Sequence, residues 1–339
     1  MSPARSSALV EPEPAAWSRS DTEYALHTAF RLPIAWLAGE RHWARLVLGM
    51  PRATRNLTAR TLKPRLASTL GRSPGDPELG MLVAACVAAR TVRQLQFLRC
   101  HRPGGWSPSI RLQGREHLDA ALSAGRGVIL WVTPTAYASL ITKMTLHLED
   151  LAPHHLSRWY HGASRSRWGV RLLNPIQRRA EDLYLAERVS IGEHQSPLRA
   201  LRQLRRLLGE NQIVSITVGK EGDEATSVPL LLGSVTLAPG PIKLAAATGA
   251  PLLPVATFRD AAGRFTTTIE PPLPVPTDAA RQFVPVLRTL AQRLERQALA
   301  RPAQYFWQGG LVFALGEMQG AGSAGTMDLL QHREFDWTI

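Results

Sequence analysis

Gly125-Arg126-Gly127-Val128-Ile129-Leu130-Trp131-Val132-Thr133-Pro134-Thr135-Ala136-Tyr137-Ala138-Ser139-Leu140 is the stretch that decides the fold. Two glycines stand at the entry to an uninterrupted apolar run, and a proline closes it. A short Val/Ile/Leu run between turn residues is the pattern of a strand covered on both faces, as in a mainly parallel sheet. A helix is predicted to begin near Thr135. Helical spacing puts Tyr137, Leu140, Ile141, Met144 and Leu148 on one face and Ser139, Lys143 and His147 on the other.

Working outward, similar runs predict strands over Gly127 to Val132, near Arg158 to His161, and over Ile213 to Val218, Leu252 to Phe258 and Phe265 to Ile269. Helical periods alternate with them. The clearest helix is Pro197 to Leu208, with Ser196 as N-cap, Pro197 at the first helical position and Gly209 closing the end. The expected class is α/β, a mainly parallel central sheet flanked by helices, carrying an N-terminal helical extension. The expected divisions are a disordered segment 1–22, a helical region 23–105, an α/β domain 106–313, and a Gly-rich linker and tail 314–339. Turn signals at Pro51, Lys63-Pro64 and Ser73 to Pro77 should divide the helical region.

The 339 residues, 45% of them hydrophobic, can bury one large core. The formal charge of +13 comes mainly from arginine and fits anionic lipid, phosphopantetheine or an acidic carrier protein. Nucleic acid is disfavoured, because the arginines are spread without clustered aromatic platforms. Cys86 and Cys100 lack metal-ligand or CxxC spacing and read as reduced core thiols. No secretory signal is visible in Met1 to Ser20, so a cytoplasmic start is expected. Charges interrupt the apolar stretches around His27 to Met50 and Leu79 to Phe97 before the roughly 18 residues a membrane span needs. Phe30 to Leu48, with its Trp, Leu and Arg, suits either a helix lying in a headgroup layer or a surface helix packed on the domain. GxSxG, HExxH and P-loop patterns are absent, and the adjacent His154-His155 would point in diverging directions on a helix or strand, which disfavours a shared metal. No metal or cofactor is expected.

The opening stretch resembles the strand-to-helix turn of the bacterial lipid A late acyltransferases, the lauroyl and myristoyl transferases, where a buried strand runs into a motif of the form HFGNWE. Other landmarks follow in that family's order. Gly114 to Gly127 is similar to the helix before the catalytic strand. Val228-Pro229-Leu230-Leu231-Leu232-Gly233 stands where the family has VPFFG. Gly240 to Ala245, continuing through Thr248 to Pro254, is a third landmark, and Arg301-Pro302-Ala303-Gln304-Tyr305-Phe306-Trp307 resembles a terminal HPEQWLW segment. The resemblance covers about Ile110 to Leu311. It implies an acyl thioester donor (acyl-CoA or acyl carrier protein), a lipid acceptor, and a peripheral place on the inner face of the cytoplasmic membrane; an amine acceptor is a further reading, because a neutral amine attacks without prior deprotonation.

The resemblance breaks at the chemistry. The family's HX4(D/E) dyad takes the proton from the acceptor hydroxyl; laid on this sequence without a gap, its positions are Pro134 and Ser139. Neither side chain is a base. His161, in Trp159-Tyr160-His161-Gly162 where the family tends to carry an aromatic followed by Arg, is the candidate for a relocated base, against the plainer reading of a surface or satisfied core histidine. Thr133, Thr135, Tyr137, Lys220 and Gly233 are expected to line the groove or bind substrate, Lys220 by neutralising a phosphate. Glu221 and Asp223 read as a solvated loop. Two functions remain open: an acyltransferase that does not use the family dyad, or a pseudoenzyme that binds lipid or acyl carrier protein and assists a partner.

Overall fold

The computed structural model describes residues 14–43, 46, 52–192, 196–222, 224–230, 233–278, 282–305 and 313–314. Three helices come first: α1 (Arg19–Leu37), α2 (Arg52–Leu70) and α3 (Pro77–Cys100). Ser18 and Asp21 cap α1 reciprocally, and Asp76 caps α3. The chain then alternates: β1 (Ile110–Gln113), α4 (Arg115–Ser123), β2 (Val128–Val132), α5 (Ala138–Leu148), β3 (His154–Arg158), α6 (Arg167–Leu172), α7 (Asn174–Asp182), β4 (Glu187–Ile191), α8 (Pro197–Gly209) and β5 (Ile213–Thr217). It continues through β6 (Thr226–Leu230), β7 (Gly233–Leu237), α9 (Gly240–Thr248), β8 (Leu252–Arg259), β9 (Phe265–Ile269), α10 (Val284–Ala300), α11 (Pro302–Tyr305) and β10 (Phe313–Ala314).

Seven strands form one sheet in the order β1-β9-β8-β2-β5-β3-β4. Every pairing is parallel except β8 with β9. The quoted stretch supplies β2, between β8 and β5, and all five of its residues are buried. That position explains its unbroken apolar character. A second, antiparallel sheet, β10-β7-β6, contains Val228, Pro229, Leu230 and Gly233 of the second landmark, whose Leu231 and Leu232 lie outside the described residues.

The expected α/β class stands, with local corrections. The third strand is His154–Arg158 rather than the region from Arg158 onward, because His155 turns inward to hydrogen-bond Ser215. α5 starts at Ala138 rather than Thr135, since the Thr135 hydroxyl donates to the Thr257 carbonyl and the Ala136 amide to the Gln304 carbonyl. Leu148, expected on the apolar face of α5, is exposed. Gly209 lies within α8 instead of closing it. α2 runs through Lys63-Pro64, its Leu62 and Leu66 buried and Pro64 exposed. α1 begins at Arg19, inside the segment expected to be disordered, while residues 1–13 and the tail from 315 lie outside the described residues.

Among the described residues, α3 is long and apolar enough to cross a membrane by length and composition, yet most of it is buried inside the protein against α1 and α2. Its apolar character is that of a core helix. Cys86 and Cys100 on α3 are free and buried, and burial pushes their thiols upward, Cys100 to about 12.

Gly125 and Gly127 both adopt positive φ, +70° and +63°. A Cβ on Gly125 would meet open space; one on Gly127 would lie 2.7 Å from the Gln212 carbonyl oxygen and 2.8 Å from that of Leu208. Gly125→Ala should therefore cost only left-handed strain, about 1–2 kcal/mol. Gly127→Ala should cost clearly more, as read from urea unfolding of the two variants.

Candidate active site

Pro134 follows β2 directly, at the carboxyl end of the parallel strands where open α/β sheets place their ligands. Two clefts meet there. The larger, about 1110 Å³, has an apolar wall that includes Ile191, Leu201, Leu204, Ile216 and Leu244, with Arg158, Arg165 and Lys220 also on its lining. The smaller, about 640 Å³, lies between α1, α3 and α5. Pro134, His155, His161, Gly162 and Thr217 line both.

The loop after β3 carries His161, and a fully buried Asn174 holds that loop. Its amide nitrogen donates to the carbonyls of Tyr160 (2.8 Å) and Ser164 (2.9 Å), and its Oδ1 accepts from the Ser164 amide (2.8 Å). Gly162 permits this approach. Its φ is +143°, and a Cβ there would lie 2.4 Å from Asn174 Cγ.

Glu181, on α7, is completely buried and gathers the polar groups of the site. Its Oε2 accepts from Lys143 Nζ at 2.8 Å, Arg188 Nη2 at 3.0 Å and His161 Nε2 at 3.0 Å. Its Oε1 accepts from Gln177 Nε2 at 3.0 Å. Burial by itself would raise the Glu181 carboxyl, but His161, Lys143 and Arg188 together hold it well below the usual carboxylate range. Burial pulls Lys143 down while Glu181 opposes. Arg188 also pairs with Asp182 at 2.7 Å, so Lys143 and Arg188 are matched by two carboxylates before His161 is counted. His155 is kept well below its ordinary value by burial and by Lys143, and is neutral.

The ionised Glu181 can only accept, so the hydrogen it shares with His161 is on Nε2. That tautomer leaves the Nδ1 lone pair as the basic position of a partly exposed imidazole lining both clefts. The arrangement is a histidine oriented by a carboxylate, a constellation suited to general base catalysis.

Residues 87–308, more than half of the chain, match the family model described as bacterial lipid A biosynthesis acyltransferase. The chain belongs to this family. No match was found among curated proteins. Membership sets acyl transfer in lipid biosynthesis, with an acyl donor and a lipid acceptor, as the chemistry the site has to account for.

Within this acyltransferase fold, Pro134, Ser139, Thr135, His161 and Lys220 come to the clefts. Ser139 accepts from Arg93 Nη2 at 3.1 Å through its hydroxyl and from Lys143 Nζ at 2.6 Å through its carbonyl. Thr133 and Tyr137 are buried away from the cleft linings, Tyr137 edge-on to Phe265 at 5.4 Å. Gly233 opens β7, opposite Leu230 in the hairpin. Glu221 lines the larger cleft, and Asp223 lies outside the described residues. Sequence reasoning missed Glu181, Gln177 and Asn174. Their signal was available: polar residues at positions 174, 177 and 181 repeat at helical spacing and bury one polar face of α7.

Glu181→Gln should cost about 3–5 kcal/mol at pH 7, because it strands buried Lys143 without its counter-charge. Adding Lys143→Met should recover part of that loss; urea unfolding of the single and double variants measures both. The folded Glu181 value is depressed, so its contribution is complete above the unfolded value of about 4.3 and is lost as pH falls below it. Wild-type stability should thus fall more steeply than that of Glu181→Gln as pH is lowered through about 4.

Proposed function

We propose that the protein transfers an acyl group from a thioester donor, acyl-CoA or acyl carrier protein, to a hydroxyl or amine on a lipid, with His161 in the role of the missing dyad histidine. The observation carrying this reading is the His161 to Glu181 contact at 3.0 Å, beside Pro134 and at the junction of two clefts. His161 Nδ1 takes the proton of the acceptor as its oxygen or nitrogen attacks the thioester carbonyl. The tetrahedral intermediate collapses, the carbon to sulfur bond breaks, and the imidazolium returns the proton to the leaving thiolate. Glu181 fixes the ring and stabilises the imidazolium. The apolar wall of the larger cleft suits the acyl chain, and Lys220 with Arg158 and Arg165 suits anionic groups of a donor.

Incubation of purified protein with acyl-CoA or acyl carrier donors and lipid hydroxyl or amine acceptors tests this directly. His161→Ala should lower transfer by about 10² to 10⁴ while leaving lipid binding intact. Undiminished transfer in that variant refutes the assignment. Absence of both transfer and donor hydrolysis in the wild type, with lipid still bound, favours the pseudoenzyme reading.

Peripheral membrane contact is part of the same proposal and rests on α1. Arg31 is buried, Trp36 donates to the Leu98 carbonyl at 3.0 Å, and Trp43 is buried against Trp106. The outward stripe is instead Leu26, Phe30, Pro33 and Leu37, spaced for one helical face. Such a stripe fits insertion among lipid headgroups. Leu26→Glu with Phe30→Glu should reduce co-sedimentation with phosphatidylethanolamine/phosphatidylglycerol vesicles while leaving thermal unfolding unchanged; undiminished co-sedimentation contradicts the assignment.

A further inference from the structure

The smaller cleft contains more positive charge than acyl transfer itself requires. Arg31 reaches it from α1, and Arg90 and Arg93, three residues apart on α3, reach it from the opposite side. Arg31 is only 8% exposed. Its guanidinium donates to Gln94, which is held in turn by Thr28 at 2.9 Å, and its Nε has no hydrogen-bond partner among the described residues. Burial and the neighbouring Arg90 pull Arg31 down to about 10. All three guanidinium groups line this cleft with Tyr24, whose phenol is pushed up by burial while they oppose that push.

Among the described residues, little negative charge lines this cleft. Glu23 is the one acidic residue among the described lining of this cleft, and it already pairs with Arg19 at 3.2 Å. Glu181 attracts Arg93 through space, but it is engaged by Lys143, Arg188 and His161. Arg93 meets a neutral hydroxyl, Ser139, at the position where the family dyad carries its acid. A buried arginine whose Nε meets no acceptor among the described residues is costly unless another group satisfies it.

We propose that the cleft between α1 and α3 is a phosphate-binding subsite formed by Arg31, Arg90 and Arg93. Arginine forks match phosphate oxygens in pairs, and three of them suit a phosphate monoester or diester better than a single carboxylate. The inference deepens the acyl-transfer reading by naming the chemistry of one substrate group, and it rests on that reading only for the purpose of the site. The phosphate has two possible sources: the headgroup of a lipid acceptor or the phosphates of the donor. Both can reach His161, since the two clefts meet there.

The test is equilibrium binding, which needs no turnover and so separates failure of this proposal from failure of catalysis. Dodecyl phosphate is compared with dodecanol, and coenzyme A with pantetheine, on the full-length protein by intrinsic tryptophan fluorescence. Wild type should bind at least one phosphate-bearing probe about tenfold or more tightly than its phosphate-free counterpart. A preference in the lipid pair assigns the subsite to the acceptor, and one in the coenzyme pair assigns it to the donor. Arg31→Gln should reduce that preference to within about twofold. Arg90→Gln, on the more exposed side of the cleft, should weaken it in a protein whose folding is less at risk. Arg206→Gln, remote and exposed on α8, should leave it unchanged. Absence of any phosphate preference in the wild type, persistence of it in both cleft variants, or an equal loss in Arg206→Gln overturns the proposal.

Discussion

A buried carboxylate cannot stand alone in a protein interior, and Glu181 is the point at which this fold meets that constraint. Its ionised form is maintained by donors from three other places in the chain: Lys143 on α5, Arg188 on β4 and His161 in the loop after β3. The balance of charge therefore ties the helix that follows the central strand to the opposite edge of the sheet. The same balance fixes the orientation of the imidazole. Charge compensation and the placement of the His161 ring are one interaction here.

The surroundings reinforce that arrangement. Asn174 and Gly162 pin the loop that carries His161 through contacts too close for any side chain at 162. On the other side of Pro134, Gln304 accepts from the Arg259 amide and donates to the Arg259 carbonyl, while its own carbonyl takes the Ala136 amide. Gln304 thus clamps the turn that follows Pro134. Lys143 links the Ser139 carbonyl on α5 to the Glu181 carboxylate on α7, and His161 reaches the same carboxylate from the β3 loop.

Much of this fold was legible because local pattern and tertiary position agree. β2 reads as buried and is central; Phe265–Ile269 and the start of α8 fall where propensity and capping put them. Legibility failed where long-range contacts override local signals. Glu187–Ile191 begins with two charged residues at the sheet edge, where one side needs no partner strand, and so carries no apolar run. His154-His155 looks like a polar loop until Ser215 and β5 supply the partner for the buried ring. In the site, His161 could be singled out as a residue type in a substituted motif, but its carboxylate could not. Glu181 lies 20 residues away, and only the docking of α7 brings it within 3.0 Å. The polar stripe of that helix was the available clue.

The central claim is that the imidazole of His161 performs the proton transfer that Pro134 cannot. Chemical rescue tests it most directly: a His161→Gly variant leaves a gap that free imidazole can enter beside Glu181. Acyl transfer by this variant, measured from a thioester donor to a lipid acceptor, should be nearly absent without imidazole and should rise saturably as imidazole is added, while the wild type is unaffected. A His161→Gly protein that remains folded and transfers acyl groups at the wild-type rate without imidazole, or one that imidazole fails to revive, would contradict the account.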